Sequence, residues 1–265
     1  MDSMMTMSKS GTKEFAHNNG MVIKKLAFEN DSLFAIYSDI DTSKENLIFV
    51  HGAPSSWDAY KSYLSDSLLK ANYNLISYDR PGYGQSSKIF SYPKIDLQAK
   101  AIQVLMDSLR IKKASLITHS YGGPIGTLFA GEHPERTSSL ILFSPVIAPK
   151  HEKMFWFSYL AIWPWTRWVL PHSLKAAGSE KKFHAQELMA CDDKFKLVKC
   201  PVLHMHSLDD FLAPGKANID YIRNTIDNKV LKIETFIDLG HLFIFFKDKM
   251  VKAAILDFLH KNKNT

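Results

Sequence analysis

The chain has 265 residues, 46% of them hydrophobic, which is enough to bury one α/β core plus an inserted segment. Its net charge of +6 comes from lysines dispersed along the chain, so no basic stripe interleaved with aromatics marks a nucleic-acid module. Two cysteines, Cys191 and Cys200, rule out a disulfide framework and an all-cysteine zinc site.

In chain order, residues 1–19 read as a polar, disordered tail without the continuous apolar core of a signal peptide, which predicts a cytoplasmic location. Apolar runs then predict strands over Met21 to Phe28, Ser32 to Asp39 and Leu47 to Val50, and a helix over Trp57 to Lys70. A strand over Asn74 to Tyr78, a helix over Lys94 to Leu109, a strand ending near Ile117, a helix over Gly123 to Gly131 and a strand over Ser139 to Phe143 follow. Strands alternating with helices imply a mostly parallel sheet covered on both faces, with an antiparallel first hairpin. The core is assigned to 20–149 and 190–265, because the pattern breaks in between.

The break, 150–189, holds four of the five tryptophans: Trp156, Trp163, Trp165 and Trp168. The apolar run from Met154 to Pro171 approaches a membrane span in length, but Pro164 and Arg167 interrupt it, so a lid is predicted instead. The four tryptophans are the predicted substrate-binding residues, lining an apolar pocket, and membrane contact is the disfavoured alternative. Arg167 is assigned a snorkelling or cation-π role rather than a contact to an anionic substrate.

Four segments carry chemistry. Ala114 to Pro124 places Ser120 between an apolar strand end and a glycine-opened helix, a strand-to-helix turn that exposes a nucleophile. Upstream, Asn46 to Val50 ends in His51-Gly52-Ala53-Pro54, a tight loop whose Ala53 N–H, paired with that of Tyr121, is the predicted oxyanion hole. Cys200 to Asp210 ends in two carboxylates, of which Asp210 is the chosen orienting acid and Asp209 the alternative. Phe236 to Gly240 reads as a strand ending at His241, the predicted general base. The order Ser120, Asp210, His241 matches one known triad order. His204 and His206 alternate on one strand face as buried histidines; Leu208 and Asp209 stand where a His-x-His-x-Asp-His metal pattern needs Asp and His, so no metal is predicted.

On these segments, from about Gly20 to the end, the chain resembles the α/β-hydrolases, and Tyr78 to Ser86 is similar to that family's loop after the fourth strand. The resemblance implies an eight-stranded sheet with helices on both faces, a helical lid after strand six, and no cofactor. Thr118 stands where the family usually has glycine. A serine, not the aspartate of haloalkane dehalogenases and epoxide hydrolases, implies acyl transfer through an acyl-enzyme on an apolar carboxylic ester. The alternatives implied by the same family are carbon–carbon bond hydrolysis of a diketone-like substrate and a non-turnover ligand receptor.

Overall fold

The computed structural model describes residues 6–86, 93–151, 165 and 170–263. The apolar runs assemble as β1 (Met21–Phe28), β2 (Asp31–Ser38), β3 (Glu45–Val50), β4 (Tyr73–Tyr78), β5 (Ala114–His119), β6 (Thr137–Phe143), β7 (Val202–Ser207) and β8 (Leu231–Phe236). They form one eight-stranded sheet in the order β1-β2-β4-β3-β5-β6-β7-β8. β2 pairs antiparallel with both β1 and β4, and the pairs from β4 to β8 are parallel. In the middle Ile48 of β3 stands beside both Ile76 and Leu116, so continuous apolar runs face a core on either side.

One face is covered by α4 (Ile95–Ser108), α5 (Gly122–Glu132), α6 (His172–Phe195) and α7 (Gly215–Thr225). The other carries α1 (Lys9–Asn19), α2 (Lys61–Leu64), α3 (Ser67–Asn72), α8 (Phe243–Phe246) and α9 (Asp248–Lys261). Parallel pairing runs every strand from β3 to β8 toward one edge, so the loops after β3, β5, β7 and β8 meet there.

Three expectations need correction. Residues 9–19 of the expected disordered tail are helix α1, capped by the Ser8 hydroxyl at one end and by left-handed Gly20 at the other. Its Phe15 ring lies 5.3 Å from Trp57, and Gln85 Nε2 donates to the buried Thr12 hydroxyl at 2.9 Å. The helix expected over 57–70 is broken, since Asp66 starts α3 by accepting from the Leu68 and Leu69 amides. The strand expected through Gly240 ends at Phe236, where Asp238 and Gly240 adopt left-handed φ of 61° and 62° and turn the chain back over the sheet edge.

Of the expected lid, Trp156, Trp163, Trp168 and Arg167 lie outside the described residues. Trp165 is 80% exposed. From His172 onward the segment is α6, a 24-residue helix that buries Leu188, Cys191 and Phe195 in the core, so 172–189 is part of the packed body. Among the described residues no helix is long and apolar enough to cross a membrane.

Candidate active site

Ser120 sits where β5 passes into α5, with φ of 54°, a left-handed conformation unusual for a residue with a β-carbon. The surroundings hold it there by volume. A β-carbon on Gly122 would stand 2.3 Å from the Val50 carbonyl oxygen, and one on Gly52 would stand 2.9 Å from the Ser120 β-carbon. Thr118 is accommodated by a gap in α5: a β-carbon at Gly126 would come within 2.5 Å of its Cγ2, while its hydroxyl donates to the Ile141 carbonyl at 3.1 Å. Glycine at 126 thus takes up the bulk that the family's usual glycine at 118 avoids.

Ser120 Oγ is 2.9 Å from His241 Nε2, and His241 Nδ1 is 2.7 Å from Asp210 Oδ2. The other Asp210 oxygen accepts the Leu212 and Ala213 amides at 2.9 and 2.8 Å. Burial by itself would raise the Asp210 pKa, but hydrogen bonds from His206 and His241 hold it well below the usual carboxylate range. Asp209 instead accepts from the Ser207 hydroxyl, which separates the two carboxylates that sequence left as alternatives.

Behind the acid, His206 Nε2 is 2.9 Å from the Ala213 carbonyl and 3.3 Å from Asp210 Oδ2. A carbonyl only accepts, so His206 Nε2 carries a proton. In the neutral ring Nδ1 then accepts from His204 Nε2, 3.0 Å away. Both histidines are fully buried in β7, and burial, then His206, depresses the His204 pKa far below the ordinary range. Among the described residues no three His, Cys, Asp or Glu side chains gather as a metal site. On the Ser120 side, His119 Nε2 donates to the His241 carbonyl at 3.1 Å, and burial followed by His241 lowers its pKa to about 3.

Peptide planarity makes C=O and N–H of one unit point in opposite directions. The Ser120 carbonyl accepts from the Gly123 and Val146 amides, which turns the Tyr121 N–H to the other side. The Gly52 carbonyl accepts from His51 Nδ1 at 2.7 Å and from Arg80 at 3.1 Å, and that fixes the direction of the Ala53 N–H in the same way. Both predicted oxyanion donors therefore belong to peptide units anchored beside Ser120.

Arg80, Glu180 and Gly126 are not singled out by sequence reasoning. Arg80 is fully buried and makes two contacts to Glu180, at 2.7 and 3.2 Å. Burial opposes its charge, yet the Glu180 carboxylate raises its pKa further. The loop signal Asp79-Arg80-Pro81-Gly82 was legible, but the partner lies 100 residues away in α6. Asp79 does architectural work: it accepts the Trp57 and Gln85 amides, and a β-carbon on left-handed Gly84 would overlap its carboxylate.

Comparison with known proteins agrees with the fold described above. Residues 45–166 match the family described as alpha/beta hydrolase fold. The chain is 32% identical over 109 residues to a 2-hydroxy-6-oxononadienedioate/2-hydroxy-6-oxononatrienedioate hydrolase of Paraburkholderia phymatum, covering 40% of this chain and 38% of the relative. It is 30% identical over 135 residues to a 2-hydroxy-6-oxo-6-phenylhexa-2,4-dienoate hydrolase of Comamonas testosteroni, covering 50% and 47%. The matches thus span less than half the length of these curated relatives. Among solved structures, an epoxide hydrolase from Vigna radiata superposes with a TM-score of 0.74 at 14% identity, over 91% of this chain and 98% of that one. A serine hydrolase from Cycloclasticus zankles gives 0.70 at 19% identity, over 92% and 98%. At such identity these two likenesses concern the fold alone.

Proposed function

We propose that this chain, whose residues 45–166 match the alpha/beta hydrolase fold family, is a serine hydrolase of that family that cleaves apolar carboxylic esters. The observation that carries the reading is the continuous line Ser120 Oγ, His241, Asp210, with separations of 2.9 and 2.7 Å. Ser120 Oγ attacks the ester carbonyl as its proton passes to His241 Nε2, and Asp210 holds the imidazole by Nδ1–H and favours the imidazolium. The tetrahedral oxygen is met by the Ala53 and Tyr121 N–H groups. On collapse the alkoxide takes the proton from His241 and leaves as the alcohol. Water then attacks the acyl-enzyme, giving its proton to His241, which passes it to Ser120 Oγ as the second tetrahedral intermediate collapses and the acid leaves. Apolar substrates are supported by the exposed Phe211, Leu212, Leu242 and Phe246 on the loops that bear Asp210 and His241.

The test is Ser120→Ala. Hydrolysis of p-nitrophenyl butyrate should fall about 10⁶-fold in kcat, and fluorophosphonate labelling should vanish, with the thermal midpoint retained. A folded Ser120→Ala protein that still labels would place the nucleophile elsewhere.

A second reading, carbon–carbon bond hydrolysis, is favoured by the names of the curated relatives. Those names describe acidic dienoates, and such a substrate needs a cation; Arg80, beside the elbow, already serves Glu180 and the Gly52 carbonyl. Turnover of a 2-hydroxy-6-oxodienoate, followed by loss of its conjugated absorbance, exceeding turnover of every ester in a C2 to C12 panel would replace the ester reading.

A further inference from the structure

Arg80 and Glu180 form a fully buried ion pair that the chemistry above does not use. Three observations tie it to the reacting centre. One Arg80 nitrogen, Nη2, divides its contacts between Glu180 Oε2 and the Gly52 carbonyl, the far end of the peptide unit that carries the Ala53 N–H. The Arg80 backbone amide donates to His51 Nε2 at 3.0 Å, so His51 presents its Nδ1 proton to that same carbonyl. The guanidinium lies 5.0 Å from the ring centroid of Tyr121, whose own amide is the second donor. On the other side, Glu180 is held by Tyr83 Oη at 2.6 Å and by Gln98 Nε2 at 3.2 Å, and His184, one turn along α6, stacks on Tyr121 at 4.4 Å.

We infer that Arg80 and Glu180 are positioning residues for the oxyanion site. Glu180 aims the guanidinium, the guanidinium pins the Gly52 carbonyl, and peptide planarity converts that anchor into a fixed direction for the Ala53 N–H. It follows that α6, through Glu180, supplies a working part of the reacting centre. A buried guanidinium must have its donors satisfied in any case, but the acceptor it uses here is the carbonyl of the peptide unit that carries the Ala53 N–H.

This inference rests on the serine-hydrolase reading, and the experiment separates the two. Wild-type protein that fluorophosphonate does not label removes that reading and this one with it. Given labelling, Arg80→Lys keeps a charge for Glu180 but cannot fork to Gly52. Its kcat on p-nitrophenyl butyrate should fall about 100-fold with KM within about 3-fold, the signature of a misplaced donor rather than lost substrate contact. Phosphonylation of Ser120 should slow in parallel. Because a buried lysine can disturb folding, the decisive variant is Arg80→Met with Glu180→Met, which leaves no orphan charge. It should melt within a few degrees of wild type and still show the 100-fold loss in kcat. A folded double variant with wild-type kcat, or a double variant that cannot fold at all, overturns the inference, because the pair is then either dispensable to the chemistry or simply structural.

Discussion

From Ala114 to Gly131 the chain around Ser120 is buried without interruption, whereas Leu208, Phe211, Ile237, Leu242 and Phe246, on the loops around Asp210 and His241, are 41% to 77% exposed. The proposed nucleophile is placed by excluded volume, through glycines that face the Ser120 β-carbon at 52, backbone at 122 and a threonine methyl at 126. The proposed acid and base are placed by directed hydrogen bonds on a sheet edge. Ser120 itself apart, substitutions on the first side should therefore show up as folding energy and on the second as rate.

After the loss of Ser120 itself, the largest expected effect is on the exposed side. Asp210→Asn keeps an oxygen for the Leu212 and Ala213 amides but loses the acceptor that orients His241, so kcat should drop about 10⁴-fold with the melting temperature nearly unchanged. Asp209→Asn should stay within a few-fold of wild type. Steady-state kinetics of the pair decide it: a more damaging Asp209→Asn would reverse the assignment.

Acid should act first through the buried histidines. Burial lowers the pKa of His119 to about 3 and drives His51 and His204 well below the ordinary range, with His241, Arg80 and His206 respectively adding to the effect. An unfolded chain protonates such histidines near pH 6.5, so the folded state binds fewer protons. Their stabilisation is full above that pH and is lost as pH falls, at about 1.4 kcal/mol per pH unit each. Asp79, pushed up to about 7 by burial, acts in the opposite sense, because its folded carboxyl takes a proton before its unfolded one does. Three histidines against one carboxyl leave a net loss of roughly 3 kcal/mol per unit below about pH 6. Urea midpoints at pH 7.5, 6.0 and 5.0 test this, and a midpoint that holds or rises on acidification contradicts it.

Gly126→Ala is the smaller test of packing around the elbow. Its new methyl meets Thr118 Cγ2, and the expected cost is about 1–3 kcal/mol. Adding Thr118→Ser removes that methyl and should recover most of the loss in a double-mutant cycle. Additive costs would mean that the two positions do not share the space assigned to them.

Strands β1 to β6 could be read from the sequence to within a residue or two because their apolar runs are continuous and local, and the elbow because strand end, serine and glycines are contiguous. Helix α1 was missed because its residues are mostly polar, although Ser8 and Gly20 stood as cap signals at its ends. The choice between Asp209 and Asp210 needed a loop conformation that two identical side chains cannot announce. Ile237 and Leu239 alternate like a strand, but left-handed Asp238 between them takes the segment out of the sheet. The Arg80 and Glu180 pair joins positions 100 residues apart, and the Thr118 and Gly126 fit depends on the register between a strand and the following helix.

The sheet order also sets a timetable. Its centre, β4-β3-β5, is complete once residue 119 has been made, while His241 follows the outermost strand, β8, and stands 121 residues after Ser120. At about 5–20 residues per second, the ribosome takes roughly 6–24 s to cover that interval. Throughout it the growing polypeptide carries the serine but no His241, so the proposed triad is complete only after the last strand has been made.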